Sequence, residues 1–324
     1  MTMKLDEIRA LVSIAQLGGV TRAAGSLNRS QPAVSRRIRQ LEEALGSRLI
    51  EKVSGGVILT EAGRAFLPHA EAALAAIEDG ITAERDTSGE ERGSVAIALV
   101  GTLAATSVVE HIRRFARDHQ RVRLELRTAN SREVSDLVRR GEVTLGLRYF
   151  DDPGAELVSG IVAEEVLVVV ASPTHRLAGR RVARPQDLRE ERWIGFPRRG
   201  ATGQSADLLE RRLLAAGLAG AEIAAVDSLT AQKRMVEIGF GLALLPESSI
   251  QEELRLGTLA IIDVPRLRAT IPVAVIHRRN GYLSGAAKAL LELVSGIPIK
   301  LRRQVVAPRR RRKRAAPRRK KLPR

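Results

Sequence analysis

The chain has 324 residues, of which 44% are hydrophobic but only 2% aromatic, and it contains no cysteine. This length allows two or more domains with aliphatic cores, and the missing thiols exclude disulfide bonds, thiolate metal sites and cysteine nucleophiles. The formal charge of +17 is concentrated in residues 301–324, which hold thirteen Lys and Arg and no acidic residue, whereas residues 1–60 hold nine basic and five acidic residues.

Neither a secretory leader nor a membrane span is predicted. Asp6, Glu7 and Arg9 interrupt any early apolar run. The longest uncharged stretch, Ser94 to Val109, is shorter than the roughly 20 apolar residues that a membrane helix needs. We therefore expect a soluble, cytoplasmic protein with no membrane partner.

The first 60 residues predict three helices. Residues 4–17 carry apolar side chains at helical spacing, and two further helical patterns cover 21–27 and 31–45 around a polar break at 28–30. Ser30 is a predicted N-cap, Pro32 suits the first turn, and Gly46 is a predicted C-cap. The buried stripe of the third helix is Val34, Ile38, Leu41 and Leu45.

The opposite face of this third helix is polar and basic, with Gln31, Ser35, Arg36 and Arg39. A helix that buries one side and shows Gln, Ser and Arg on the other is typical of a helix that enters the major groove of DNA. Two short strands around Ser54-Gly55-Gly56 predict a small wing, and Lys52 is its cation for a DNA phosphate.

A single long helix is predicted from Glu61 to about Arg85. Its apolar residues follow a heptad spacing and are Leu67, Ala70, Leu74, Ile77 and Ile81. This seam predicts pairing with a second chain, with Leu67, Leu74, Ile77 and Ile81 as the dimerisation residues. The alternative is that the helix packs on the following domain of its own chain. Residues 87–93 are polar and predict a hinge.

Residues 93–300 alternate short apolar runs with helical patterns. The strand candidates are Val95–Val100, Val122–Thr128, Thr144–Arg148, Val166–Ala171, Trp193–Phe196, Glu222–Val226, Leu242–Leu245, Leu259–Ile262 and Pro272–His277. The helical patterns cover 104–118, 130–140, 204–216, 229–238 and 282–295. This alternation predicts a parallel, open α/β sheet, and nine strands favour two subdomains with a ligand cleft between them.

No catalytic or metal-binding motif is visible. The five histidines are scattered, and no nucleophile elbow or phosphate-cradling glycine loop is present. We therefore predict no enzymatic activity, no catalytic residue, no metal site and no cofactor.

The sequence resembles the LysR-type transcriptional regulators over about residues 1–300. The resemblance rests on Thr21-Arg22-Ala23-Ala24, Leu27, Ser30-Gln31-Pro32-Ala33-Val34-Ser35, Ile38, Leu41-Glu42, Leu45-Gly46, Leu59-Thr60-Glu61-Ala62-Gly63 and Gly239-Phe240-Gly241-Leu242-Ala243-Leu244-Leu245-Pro246. The sequence departs from the usual family pattern at Gly18-Gly19-Val20, at Leu49-Ile50-Glu51-Lys52 and at Gly141-Glu142-Val143-Thr144-Leu145-Gly146-Leu147.

The resemblance implies an α/β fold with an N-terminal all-α winged helix-turn-helix, a long linker helix and a two-subdomain open α/β effector domain like that of periplasmic binding proteins. The expected boundaries are 1–60 for the DNA-binding domain (helix-turn-helix about 20–39), 61–88 for the linker and dimerisation helix, and 93–300 for the effector domain. Within it, subdomain I covers about 93–164 and 269–300, and subdomain II covers about 165–268. A disordered basic tail is expected at 301–324.

The resemblance also implies the partners: double-stranded promoter DNA, a small-molecule effector, and a second copy of the chain in a homodimer or homotetramer. The implied DNA contacts are Thr21, Arg22, Ser30, Gln31, Pro32, Ser35, Arg36, Arg39 and Lys52. Among them, Gln31 is expected to read an adenine and Arg36 a guanine, whereas Ser30, Arg22 and Lys52 are expected to hold phosphates. For Arg39 the alternative is a phosphate contact or plain exposure to solvent.

The implied effector-binding residues lie after the strands of the effector domain and are Thr102, Thr128, Arg148, Phe196, Arg198 and Thr202. Arg148, Arg198 and Arg199 near a predicted cleft favour an anionic effector such as a carboxylate. The alternative is that these arginines are ordinary solvated side chains.

Two other functions are alternatives to a regulator. One is a nucleoid-type DNA binder that relies on the basic tail, because a block of like charge binds any polyanion. The other is a solute-binding receptor, which the α/β part resembles. A solute receptor would need export, and neither a leader nor a role for the helix-turn-helix fits it.

Overall fold

A computed structural model describes residues 3–54, 56–87, 93–105, 107–197 and 204–296 of the chain. The hinge at 88–92 and the basic tail at 301–324 lie outside the described residues. Within the described ranges, none of the helices combines the length and the apolar character that crossing a membrane requires.

The N-terminal domain contains three helices and a hairpin. These elements are α1 (Leu5–Leu17), α2 (Val20–Ser26), α3 (Gln31–Leu45), β1 (Ile50–Val53) and β2 (Gly56–Leu59). One buried aliphatic cluster joins them, with Leu11, Val34 and Leu41 fully buried. The predicted winged helix-turn-helix is therefore present, and its helices begin and end within one or two residues of the predicted bounds.

The long helix α4 (Glu61–Thr87) follows β2 directly. The Thr60 hydroxyl accepts a hydrogen bond from the Gly63 N–H at 2.9 Å and donates one to the Arg48 carbonyl at 2.7 Å. A Cβ at Gly63 would lie 2.0 Å from the Leu49 carbonyl oxygen. Only glycine therefore allows the helix to pass so close to the base of the wing.

The remaining strands form one continuous mixed sheet. They are β3 (Ser94–Val100), β4 (Arg123–Ala129), β5 (Leu145–Tyr149), β6 (Leu157–Ala171), β7 (Trp193–Gly195), β8 (Ile223–Ala225), β9 (Leu242–Pro246), β10 (Ala260–Ile262) and β11 (Ala269–Arg278). Their order is β4-β3-β5-β11-β6-β9-β7-β8, and β10 pairs with β6. The described helices between them are α5 (Ser107–Asp118), α6 (Ser131–Arg139), α7 (Gln204–Ala215), α8 (Leu229–Glu237), α9 (Gln251–Leu256) and α10 (Gly285–Ser295).

The sheet corrects the sequence prediction in two respects. Strand β6 begins at Leu157 instead of Val166, and both β6 and β11 run antiparallel to their neighbours, so the sheet is not purely parallel. The first half of β6 escaped prediction because its residues 158–164 are all exposed or half-buried and include Gly160 and Glu164. A short helix, α9, was also missed.

The sheet and the helices packed on it form two lobes with separate cores, and strands β6 and β11 run through both lobes. One core lies around β3, β5, α5, α6 and α10, and it includes Phe115, Leu147 and Leu290. Two smaller cores lie around β7, β9, α7 and α8 and include Trp193 and Val236. The two long strands thus connect the lobes, and the crevice at their junction is the place where a ligand of such a sheet binds. The exact subdomain boundaries stay a prediction.

Helix α4 lies on the first lobe of its own chain. The Asp79 carboxylate accepts a hydrogen bond from Nη2 of Arg278, at the end of β11, at 2.6 Å and one from the Tyr282 N–H at 3.1 Å. The Tyr282 hydroxyl donates to Asp86 at 2.8 Å. One face of the long helix therefore packs on its own effector domain, as the alternative prediction stated.

Candidate DNA-reading surface and effector cleft

Helix α3 begins with the predicted cap. The Ser30 hydroxyl accepts a hydrogen bond from the Ala33 N–H at 3.4 Å, Pro32 lies in the first turn, and Gly46 ends the helix at φ +70°. The cap satisfies one of the N–H groups that a helix start leaves without a partner in the helix. The N-terminus of α3 is thus fixed at the polar break, where the chain turns from α2.

The outer face of α3 is open to solvent. Gln31, Arg36 and Arg39 are exposed and Ser35 is half-buried, whereas Val34, Ile38 and Leu41 are buried under the helix. At about 100° per residue, Arg36 points to the side opposite this buried row. The structure therefore exposes both predicted base readers, Arg36 on the side opposite the buried row and Gln31 in the first turn of the helix. Thr21 and Pro32 are exposed as well.

Two basic residues near α3 are already engaged. Arg22 donates through Nη2 to the Gly18 carbonyl at 2.9 Å, and Arg37 forms an ion pair with Asp6 at 2.7 Å. The bond from Arg22 uses one of five guanidinium N–H groups, so the others are available to a phosphate. Arg37 belongs instead to the packing of α3 on α1.

The wing is held at a fixed angle to α3 by Glu42. Its Oε1 accepts hydrogen bonds from the backbone N–H groups of Leu49 and Ile50, at 2.8 and 3.3 Å. Lys52 is exposed on β1, beyond this anchor. The predicted phosphate contact therefore sits on a hairpin that is tied to the reading helix. The sequence did not reveal this role of Glu42, because it depends on a contact seven residues away in a different element.

The predicted dimerisation residues and the contact with the first lobe occupy different sides of α4. Leu67 and Leu74 are half-buried, and Ile77 and Ile81 are 40% and 38% exposed in the single chain. Asp79, on the lobe-facing side, lies about 200° around the helix from Ile77 and from Ile81. The side of the helix that faces away from its own effector domain thus carries exposed apolar side chains, Ile77 and Ile81.

Two buried hydroxyl groups lie at the ends of neighbouring strands in the first lobe. Thr102 follows β3 and is buried, and its Oγ1 lies 2.7 Å from the hydroxyl of Tyr149 at the end of β5. Burial raises the pKa of Tyr149, so this hydroxyl stays protonated and neutral. Thr128 is exposed and lies inside β4, whereas Phe196 is half-buried and directly follows β7. Arg198 and Thr202 lie outside the described residues.

Arg148 is placed differently from the sequence expectation. Its side chain, 5% exposed, forms an ion pair with Asp152 and donates to the Ser135 hydroxyl of α6 at 3.1 Å. Burial alone would raise the pKa of Asp152. The Ser135 hydroxyl, the Gly154 N–H and the guanidinium groups of Arg139 and Arg148 lower it by more, so the pKa lies below its ordinary value. Asp152 is therefore ionised at neutral pH. The charge of Arg148 is thus compensated within its own lobe, which corrects its prediction as a cleft cation.

Sequence reasoning missed one charged residue of the junction, Glu165 of β6, which is 9% exposed. The Ser248 hydroxyl donates a hydrogen bond to its Oε2 at 2.5 Å from a 3-10 helix, Glu247–Ile250, of the second lobe. Glu165 and Ser248 are 83 positions apart in the sequence, so no local sequence pattern could predict their hydrogen bond. Across the described ranges, no group of three His, Cys, Asp or Glu residues is arranged to hold a metal ion.

Comparison with protein families gives two matches along the chain. Residues 5–64 match the bacterial regulatory helix-turn-helix protein, lysR family, and residues 88–296 match the LysR substrate binding domain. A curated relative, the RuBisCO operon transcriptional regulator of Allochromatium vinosum, is 29% identical over 294 residues. That alignment covers 91% of this chain and 96% of the relative.

Two solved structures share the fold. Full-length CbnR in complex with its target DNA superimposes with a TM-score of 0.60 at 22% identity, covering 91% of this chain and 99% of that protein. The full-length regulator LysG of Corynebacterium glutamicum, with bound effector Arg, gives a TM-score of 0.57 at 19% identity and covers 91% and 97%.

Proposed function

Because the chain belongs to the LysR-type family of transcriptional regulators, we propose that α3 reads the bases of a promoter half-site and that the cleft between the lobes binds the effector. The observation that carries this proposal is the exposed surface of α3, with Arg36 and Arg39 opposite its buried row and Gln31 exposed in its first turn. A capped helix with such a face matches the shape and the hydrogen-bonding code of the major groove.

Each side chain of this surface has a distinct role in the proposal. Gln31 pairs with the N6 and N7 edge of an adenine, and Arg36 donates two bonds to O6 and N7 of a guanine. Lys52 contacts a phosphate from the wing, and Arg22 does so with the N–H groups that Gly18 leaves open. Ser30, whose side-chain oxygen caps the helix, keeps its hydroxyl hydrogen for a phosphate.

Reading of a full promoter site requires two copies of α3. The apolar stripe of Leu67, Leu74, Ile77 and Ile81 on α4 is the surface on which a second chain pairs. Two half-sites with near-palindromic sequence then follow from the two-fold symmetry of the dimer. The lobe-facing side of α4 remains free to hold the effector domain in each copy.

The test is a footprint of the full chain on promoter DNA, with base-by-base replacement in the protected site. Arg36→Ala is expected to weaken specific binding by about 1–3 kcal/mol and to lose discrimination at one base pair of each half-site. Lys52→Ala is expected to weaken binding to all sequences alike. It should also reduce the salt slope, the slope of log affinity against log salt concentration, by about one, which corresponds to one phosphate contact.

Arg113→Ala is the matched control, because it removes the same charge from an exposed position of α5 in the effector domain. It should leave both the footprint and the base preference unchanged. If Arg36→Ala and Arg113→Ala have the same effect on base preference, α3 is not the reading helix.

The basic tail adds a separate contribution to this proposal. Residues 301–324, outside the described residues and beyond the match that ends at 296, carry thirteen basic side chains. We expect them to raise affinity for any DNA and to steepen its salt dependence without changing site preference. Truncation at residue 300 should keep the footprint and lower the salt slope. Loss of specific protection on truncation would support instead the nucleoid-type alternative, in which the tail is the main binding element.

A further inference from the structure

The junction of the two lobes contains a buried carboxylate. Glu165 lies in β6, in register with Ile271 of β11, and is 9% exposed. Its neighbour along the strand, Glu164, is exposed. The alternation of the strand therefore turns one of two consecutive carboxylates into the protein and the other to solvent.

Three segments meet around Glu165. Ser248 donates to its Oε2 at 2.5 Å from the second lobe, and the 3-10 helix of Ser248 contacts the 3-10 helix Gly101–Ala105 of the first lobe. That helix carries Thr102, whose hydroxyl is bonded to Tyr149. Burial raises the pKa of Tyr149, the Thr102 hydrogen bond opposes this rise, and the negative charge of Glu165 adds to it. The described part of this region thus combines the hydroxyl groups of Ser248, Thr102 and Tyr149 with the buried carboxylate of Glu165.

This acid has no ion-pair partner among the described residues. The salt bridges of this region use other carboxylates, and the guanidinium of Arg148 is held by Asp152. A single hydroxyl donor satisfies one lone pair of a carboxylate but does not compensate a buried negative charge. Within the part of the chain that the structure describes, the Glu165 carboxylate therefore has no cation paired with it at the junction where an effector is expected.

We infer that the effector carries a cationic nitrogen, an ammonium or guanidinium group, which binds the Glu165 carboxylate, while hydrogen-bonding groups of its body meet Thr102 and Tyr149. This inference rests on the proposed role of the cleft and replaces the anionic class that the sequence favoured. A charged N–H donor on a carboxylate gives the strong, short hydrogen bonds that a buried acid needs. Binding would also bridge the lobes, because Ser248 and Thr102 belong to different ones.

The test uses calorimetric titration of the full-length protein with two matched sets of small molecules. The cations are agmatine, putrescine, arginine and lysine, and the anions are succinate, glutarate and benzoate. At least one cation is expected to bind, with affinity above that of every anion in the set. Binding of an anion alone, or of none of the cations, overturns the inference. This comparison uses the unmodified protein and does not depend on the folding of any variant.

The second arm compares Glu165→Gln with Glu164→Gln. Both remove one negative charge from adjacent positions of β6, but only Glu165 is buried. Glu165→Gln is expected to weaken cation binding about ten-fold or more, whereas Glu164→Gln should change it less than two-fold. Equal affinities of the two variants overturn the inference.

A promoter footprint on the same preparations separates this inference from the proposed function. The unmodified chain and Glu164→Gln, both without added ligand, should protect the same promoter site, since Glu164 belongs neither to the DNA-reading surface nor to the inferred effector site. If titration fails but the footprint is intact, only the effector class is wrong. If no promoter site is protected, the proposed function itself fails.

Discussion

The ion pair between Asp79 and Arg278 should be a principal bond between α4 and the effector domain. Both side chains are just under one-fifth exposed, and Asp79 uses both oxygens, for Arg278 and for the Tyr282 N–H. Truncating one partner of a fully buried pair costs about 3–5 kcal/mol, whereas exposed pairs contribute about 0.2–1 kcal/mol. For this intermediate burial we expect a coupling energy of about 1–2 kcal/mol.

The measurement is a double-mutant cycle on the free energy of unfolding by urea. It compares Asp79→Ala, Arg278→Ala and their combination at one fixed protein concentration, because oligomerisation makes stability depend on concentration. Glu78 and Arg9 form the control pair, since they lie 3.5 Å apart but are 62% and 44% exposed. Their coupling should stay below about 0.5 kcal/mol. A coupling for Asp79 and Arg278 no larger than the control would refute the idea that this pair fixes the helix to its lobe.

Three further predictions concern single positions. Gly63→Ala should destabilise the N-terminal domain by about 1–3 kcal/mol and weaken the promoter footprint, because the new methyl group would overlap the Leu49 carbonyl. Ser30→Ala should reduce the stability of the same domain by about 0.5–1 kcal/mol in thermal unfolding, through loss of the bond to the Ala33 N–H. Asp152 has a folded-state pKa below its ordinary value of 3.8, because its hydrogen bonds and nearby arginines outweigh the effect of burial. Its contribution is therefore present above about pH 4 and lost as the pH falls through the folded pKa, so Asp152→Asn should flatten the loss of stability between about pH 5 and 2.

Each of these predictions has a control in the chain. Gly25→Ala adds the same methyl group where nothing lies within 4 Å, so it should leave the footprint intact. Ser30→Thr keeps a capping oxygen and should retain most of the stability. Asp151→Asn removes a neighbouring carboxylate whose side chain bonds only Ser159 in the described part of the chain, and it should leave the acid-induced loss of stability as it is in the unmodified protein. Indistinguishable results for a variant and its control would count against the corresponding contact.

Local signals in the sequence account for most of the N-terminal domain. The start of α3 at Ser30 and its end at Gly46 were predictable because caps depend on residues within three or four positions. The same holds for the exposed face of the helix, which follows from the spacing of Val34, Ile38 and Leu41 alone.

The effector domain was less predictable because its site depends on distant contacts. The apolar run at Val166–Ala171 identified half of β6, but in its other half only Leu157 is buried before Glu165, so no continuous buried run marks it. From the sequence alone Arg148 is a plausible cleft cation. In the fold, the turn after β5 places Asp152 next to it, and the two form an ion pair. Glu165 becomes a candidate site only once the fold brings Ser248 to it.

Strand β11 begins where it pairs with the acid-bearing part of β6 and ends at Arg278, which holds α4. From Ile271 to Arg278 the distance along the strand is about 23 Å at 3.3 Å per residue. No loop interrupts this path, although a bulge lies between Val273 and Ala274. The strand therefore connects the lobe junction directly to the helix that carries the DNA-binding domain. A rotation of a few degrees at the junction becomes a displacement on the order of 1 Å at the helix over such a length.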